Sequence, residues 1–278
     1  MRAREGATRA CNRLTQRRLH GEMNSPWSPA SHRRKLARAK RHIEDVEALL
    51  AAWSSDGYRV CEQSKGNRRF VLYAEQLKPL PDELPLVVGD AFQCLRNSLD
   101  HIVFALARKE TPSMTAEQEQ KVAFPVTKNG TAVGGGHPRI QLVKEAVRND
   151  IRDLAPDSAR QPLDQDPVWL LDKMSNRDKH REVSAIPVAR SGTELSITAS
   201  SGGDYFYIFG PQRLEANAGG MPLVEFDRSP DVEAEIRYSL QILFDQGVEV
   251  EDREMTHTLW WMHDHIRDTV FQRLEAHL

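Results

Sequence analysis

The apolar residues of this chain change their period at Glu182, and that change limits the fold more than any single motif does. Before it, from Ser31 to Arg181, they recur mainly at three- and four-residue steps, as on one face of a helix. From Glu182 onward they fall into short runs, 182–188, 193–199, 204–209 and 222–226. The clearest stretch is Val232, Ala234, Ile236, Tyr238, Leu240, Ile242 and Phe244, where every second residue is apolar or aromatic as on one face of a strand. The helical period returns with Met255, Leu259, Met262, Ile266, Val270 and Phe271. Blocks of both periods in one chain read as an α+β protein: a helical core with an antiparallel sheet module inserted before the C-terminal helix.

The helices are expected near 31–53, 87–108, 139–153, 167–181 and 252–274. In the first, Leu36, Ala39, Ile43, Val46, Leu50 and Trp53 form the buried stripe. Tyr58–Gln63 and Phe70–Gln76 read as a β-hairpin within the helical part, and Pro79, Pro81 and Pro85 delay the second helix to Val87. Residues 111–166 are irregular, rich in proline, and hold Gly134-Gly135-Gly136 without the Lys-Ser/Thr of a phosphate-binding P-loop. Within them Pro138 opens a helix with Ile140, Val143, Val147 and Ile151 on one side. This divides the chain into a basic, aperiodic leader (1–30), a helical core (31–181), a β module (182–245) and a C-terminal helix packing back on the core (246–278).

A net charge of −2 hides a strong asymmetry. Residues 1–41 hold twelve Lys and Arg against Glu5 and Glu22, which leaves 26 basic against 38 acidic residues for the rest. A basic arm on an acidic body suits RNA, DNA or an acidic partner. In the first helix the bases precede Glu44, Asp45 and Glu47, the reverse of what the helix dipole favours. No apolar run is long enough to span a bilayer, and the N-terminus has no apolar segment of the secretory type, so a cytoplasmic protein with no membrane partner is expected. Cys11, Cys61 and Cys94 are too few and too scattered for a disulfide framework or a thiolate zinc site.

Two polar knots interrupt the apolar helices. The first is Arg96-Asn97-Ser98-Leu99-Asp100-His101, beside the stripe Phe92, Leu95, Leu99, Ile102 and Leu106; the second is Asn176-Arg177-Asp178-Lys179-His180-Arg181. Buried charges are expensive unless paired, so the knots are expected to meet in space, with His101 and His180 facing one cleft. At about 100° per residue Arg96 lies over Asp100, Asn97 lies over His101, and Arg96 and His101 stand roughly 140° apart. His257, His263, His265, Asp264 and Asp268 on the last helix do not stack as a metal-binding pair would, and no Gly-x-Ser-x-Gly elbow is present. Neither a metal nor a cofactor is expected.

Arg96-Asn97 followed by three residues and His101 resembles the Arg-polar-x-His signature of the HEPN superfamily, helical domains many of which are metal-independent ribonucleases of toxin and defence systems. The frame Gly89-Asp90-Ala91, Leu95-Arg96, Leu99-Asp100-His101 and Asp178-Lys179-His180-Arg181 is also similar to an uncharacterised bacterial family common in actinobacteria, over most of the chain after Met23. The HEPN resemblance implies a homodimer that binds or cleaves RNA. Its catalytic residues would be Arg96, Asn97, His101 and His180, with Lys179 and Arg181 on the substrate and Asp100 and Asp178 in support. His101 would move the ribose 2′-hydroxyl proton and Arg96 would stabilise charge on the phosphate. The sizeable β region is a departure from a plain HEPN domain. Two other readings stand beside it: a non-enzymatic interaction protein in which a paired polar network fixes helix packing, and a pocket for a small phosphorylated or carboxylated ligand clamped by Arg96, Lys179 and Arg181.

Overall fold

The structure, a computed structural model, describes residues 30–178, 185–190, 195–199, 206–208, 212–213, 220–227, 232–236, 239–245, 249–250 and 253–278. Helix α1 spans Ser31–Asp56 and buries the stripe its period requires: Leu36, Ala39, Ile43, Val46, Leu50 and Trp53. Its first turn holds bases and no acid, an arrangement that costs about 0.3–1 kcal/mol per charge at low salt. Packing outweighs that cost, since each fully buried Leu, Ile or Phe contributes about 1.5–3 kcal/mol.

Helix α2 runs Leu84–Glu110, starting three residues before the expected Val87. Pro85 sits in its first turn, where the missing N–H has no partner to lose. The sequence reading missed α3, Ala116–Lys121, which a capping box between Thr115 and Gln118 initiates. The helix expected over 139–153 is divided: a 3-10 turn, Pro138–Ile140, precedes α4, Glu145–Leu154. Ile140, Val143, Val147 and Ile151 are nevertheless all buried. Asp166 caps α5, Pro167–Asp178, its Oδ1 accepting the backbone N–H groups of Val168 and Trp169 at 2.9 Å each. Helix α6, Met255–His265, continues through a π-helical turn, Ile266–Phe271, into a last α-turn, Gln272–Leu274.

The fold class is α+β, and every strand pair among the described residues is antiparallel. Strands β1, Tyr58–Gly66, and β2, Arg69–Gln76, form the expected hairpin, closed by Asn67-Arg68 with φ of 47° and 67°, the left-handed pair of a type I′ turn. The hairpin's free edge does not stay with the helices. β2 pairs with β7, Met221–Asp227, which pairs in turn with β5, Phe206–Ile208, so one four-stranded sheet joins residues 58–76 to the later β region. A second sheet orders β6, Gln212–Arg213, β3, Ala185–Arg190, and β9, Ser239–Phe244; β4, Leu195–Ala199, pairs with β8, Val232–Ile236. The thirteen-residue alternation at 232–244 is therefore two strands in two sheets. Alternation reports which face is buried but carries no record of the partner strand.

The main core joins α1, α2, α4, α5 and α6 with Ile242 and Phe244 of β9, whose Phe244 ring lies 6.0 Å from that of Phe92. A smaller cluster, Ala74, Met221, Leu223, Val224 and Phe226, covers the four-stranded sheet. Among the described residues no helix is long and apolar enough to cross a membrane.

Candidate functional site

Gly89, Gln93, Arg96 and Asp100 recur at steps of four, three and four, which gathers them within roughly 60° of arc on α2. This stripe faces α5. Arg96, only 7 % exposed, uses its guanidinium in three directions: Nη1 donates to Asp100 Oδ1 at 2.6 Å, Nε to Asp172 Oδ1 at 3.1 Å and Nη2 to the Phe124 carbonyl at 2.9 Å. Asp100 Oδ1 also accepts the Phe124 backbone N–H at 2.9 Å. The ion pair that the i, i+4 spacing of Arg96 and Asp100 suggests is thus present. Together the two residues hold both backbone groups of Phe124, itself fully buried, and pin the 111–140 segment onto α2.

Farther toward the start of α2, Gln93 Nε2 donates to the Ser175 carbonyl and, at 3.2 Å, to Asp178 Oδ2. Gly89 explains how Asp178 fits: a Cβ there would lie 2.0 Å from Asp178 Oδ1, so only glycine leaves room for this carboxylate against α2. The helices that carry the two polar knots thus pack together, through Arg96–Asp172 and Gln93–Asp178, each contact joining a residue of one knot to a residue outside the other, and Asn176 of the second knot lines the same cleft as Arg96, Asn97 and Asp100. Lys179, His180 and Arg181 lie outside the described residues, and so does the convergence of His101 and His180.

Beside this network opens a cleft of about 500 Å³. It is lined by Gln93, Arg96, Asn97 and Asp100 of α2, Asp172 and Asn176 of α5, Gln120 and Lys121 of α3, and Pro138 and Arg139 of the 3-10 turn. Asn176 Nδ2 donates to Asp172 Oδ2 at 3.1 Å, so both Asp172 oxygens are occupied. Among the described residues the Arg139 guanidinium reaches only the Phe124 carbonyl, with Nη1 at 3.5 Å, and Lys121 pairs with Glu117 in an exposed i, i+4 contact. Asn97 is half-buried on the wall and has no hydrogen-bond partner among the described residues.

His101 is not part of this lining. It turns toward α1, where its Nδ1 lies 3.0 Å from Ser31 Oγ. Burial, and then the nearby Lys35 charge, hold its pKa below the ordinary histidine value, against a smaller upward pull from Asp100. The neutral imidazole is the favoured form there. Arg96 and Asn97 thus face the cleft, while His101 faces a different neighbour.

The chain matches no family model, no curated protein and no solved structure. The site is read from its own geometry. Among the described residues no group of three or more His, Cys, Asp and Glu is placed to hold a metal ion. Asp172, Gln93, Gln120, Lys121 and Arg139 were not singled out in the sequence. The i, i+4 pair Asp172–Asn176 and the stripe through Gly89 and Gln93 were available signals for the helical half. Lys121 ends α3 and Arg139 lies in the 3-10 turn Pro138–Ile140, and the place of both beside α2 is set by contacts to the Phe124 backbone, which no side-chain pattern records.

Proposed function

We propose that this chain binds a small carboxylated or phosphorylated molecule in the α2–α5 cleft, with Arg139 and Lys121 as the anion-holding groups. The observation that carries this reading is the division of labour among the cations. Arg96 is committed to Asp100, Asp172 and the Phe124 carbonyl, which hold it in place in the lining. Arg139 keeps Nε and Nη2 without a partner among the described residues and lines a cleft of ligand size. Lys121 is tied only by an exposed pair of the kind worth about 0–1 kcal/mol, so an incoming anion displaces Glu117 at little cost. The Asn97 amide adds a donor and an acceptor that orient the rest of the ligand.

This reading departs from the three-cation clamp expected of Arg96, Lys179 and Arg181, because three of the five Arg96 N–H groups, and its charge, are already committed to Asp100, Asp172 and the Phe124 carbonyl. It is also preferred to RNA cleavage, which needs Arg96 and His101 acting on one phosphate. The test is a thermal-shift and calorimetric screen of carboxylates and phosphate esters against wild type, Arg139→Ala and Lys121→Ala. At a hundredfold excess over Kd a ligand stabilises the fold by about 2.7 kcal/mol, and Arg139→Ala weakens such binding tenfold or more. Hits that bind Arg139→Ala and Lys121→Ala as tightly as wild type refute the assignment. Cleavage of mixed RNA in EDTA that His101→Ala abolishes would favour the ribonuclease reading instead.

A further inference from the structure

The first three turns of α1 carry a run of positive charge that is only partly compensated among the described residues. Arg34, Lys35, Arg38 and Arg41 have no carboxylate partner among the described residues; Arg38 donates only to His42 Nε2, at 3.1 Å. Their neighbours differ: Arg33 pairs with Glu275 and Lys40 with Glu44. Arg34, Arg38 and Arg41 are all exposed and lie within roughly 60° of arc along about 10 Å of helix, at the end where the helix dipole is already positive. Across α1, the same Lys35 and Arg34 charges act on His101. Arg34 stands against the helix dipole in the first turn, and Lys35, Arg38 and Arg41 continue the charge with no carboxylate partner among the described residues, which marks a surface whose counter-charge comes from outside.

We propose that this face of α1 docks the phosphate backbone of double-stranded DNA. The exposed residues from 33 to 41 are Arg33, Arg34, Ala37, Arg38, Lys40 and Arg41, with no aromatic ring on which single-stranded bases could stack and no large apolar side chain to enter a bilayer. What remains is attraction to a surface of dense, continuous negative charge. Duplex DNA carries about one charge per 1.7 Å of axis. The arginines that precede α1 in the sequence, Arg2, Arg4, Arg9, Arg13, Arg17 and Arg18, are irregularly spaced, which suits a continuous polyanion better than the fixed constellation of an acidic protein. Arginine also matches phosphate with two parallel hydrogen bonds.

The test is fluorescence anisotropy of a labelled 20-base-pair DNA duplex with the full chain between 50 and 200 mM salt. Wild type is compared with Arg34→Gln/Arg38→Gln/Arg41→Gln and with Arg34→Gln/Arg41→Gln, which spares the Arg38–His42 hydrogen bond. Each lost phosphate contact lowers the slope of log K against log salt by about 0.9, so the triple variant falls by about 2.7 and the double by about 1.8, with at least tenfold weaker binding near 100 mM. The proposal is overturned if wild type does not bind the duplex, or if both variants keep the wild-type affinity and slope. Tighter binding to a single-stranded RNA 20-mer, to phosphatidylserine vesicles or to polyglutamate than to the duplex also overturns it.

Discussion

Replacing Arg96 with methionine tests whether the central arginine is a structural clasp or an accessible functional group. The substitution keeps an unbranched chain of similar bulk and removes three hydrogen bonds, of 2.6, 3.1 and 2.9 Å, to Asp100, Asp172 and the Phe124 carbonyl. It leaves two carboxylates facing each other without their cation. Removing one partner of a buried ion pair costs about 3–5 kcal/mol. The Asp172 side chain is 18 % exposed and that of Asp100 31 %, so water reaches Asp100 and places the expected loss near the low end, about 3 kcal/mol. Against a usual total of about 5–15 kcal/mol this is a large fraction of the stability. Urea unfolding followed by tryptophan fluorescence measures it, since Trp169 lies on α5 one turn before Asp172. Adding Asp100→Asn and Asp172→Asn to Arg96→Met removes the stranded charges and should recover most of the loss, because an asparagine still accepts the Phe124 N–H. A cost below about 1 kcal/mol for Arg96→Met, the range of ordinary surface substitutions, would refute the clasp. Failure of the triple variant to recover would assign the loss to packing and not to charge.

Gly89→Ala gains about 1 kcal/mol of helix propensity but drives a methyl group into Asp178, so net destabilisation is expected; a higher melting temperature would show that Asp178 swings away freely. His101 has its folded pKa below the ordinary 6.5, because of burial and then Lys35, so the unfolded chain takes up the proton more readily. Stability therefore falls as pH drops through 6.5 toward the depressed value, and His101→Asn should flatten this part of the profile while an imidazole NMR titration locates the midpoint below 6.5. Glu275 is held below its usual 4.5 by the Arg33 hydrogen bond, against desolvation and with further help from His32. Its contribution is present above 4.5 and lost as pH falls through the depressed value, so Glu275→Gln should differ from wild type at pH 7 and converge with it in acid.

Much of this architecture is a local property of the chain, and that part was legible in its residues. Periodicity located the buried faces: the stripes of α1, α2 and α6, and the set Ile140, Val143, Val147 and Ile151, are all buried, because a helix turns through the same angle whatever it packs against. The hairpin and the Arg96–Asp100 pair are equally local, although the strands run on to Gly66 and from Arg69 and leave a two-residue turn, Asn67-Arg68, in place of the longer connection expected between Gln63 and Phe70. What only the tertiary structure decided is which distant groups meet. β2 pairs with β7, and the alternation at 232–244 is shared between two sheets, because backbone hydrogen bonds define a sheet without marking the side chains. The third partner of Arg96 is a backbone carbonyl on a segment of irregular sequence, and the cleft cations Lys121 and Arg139 reach α2 only because that segment is pinned there. His101 and Arg96, five residues apart, were separated by the same rule: five residues advance a helix by about 500°, which leaves them 140° apart and hands each to a different neighbour.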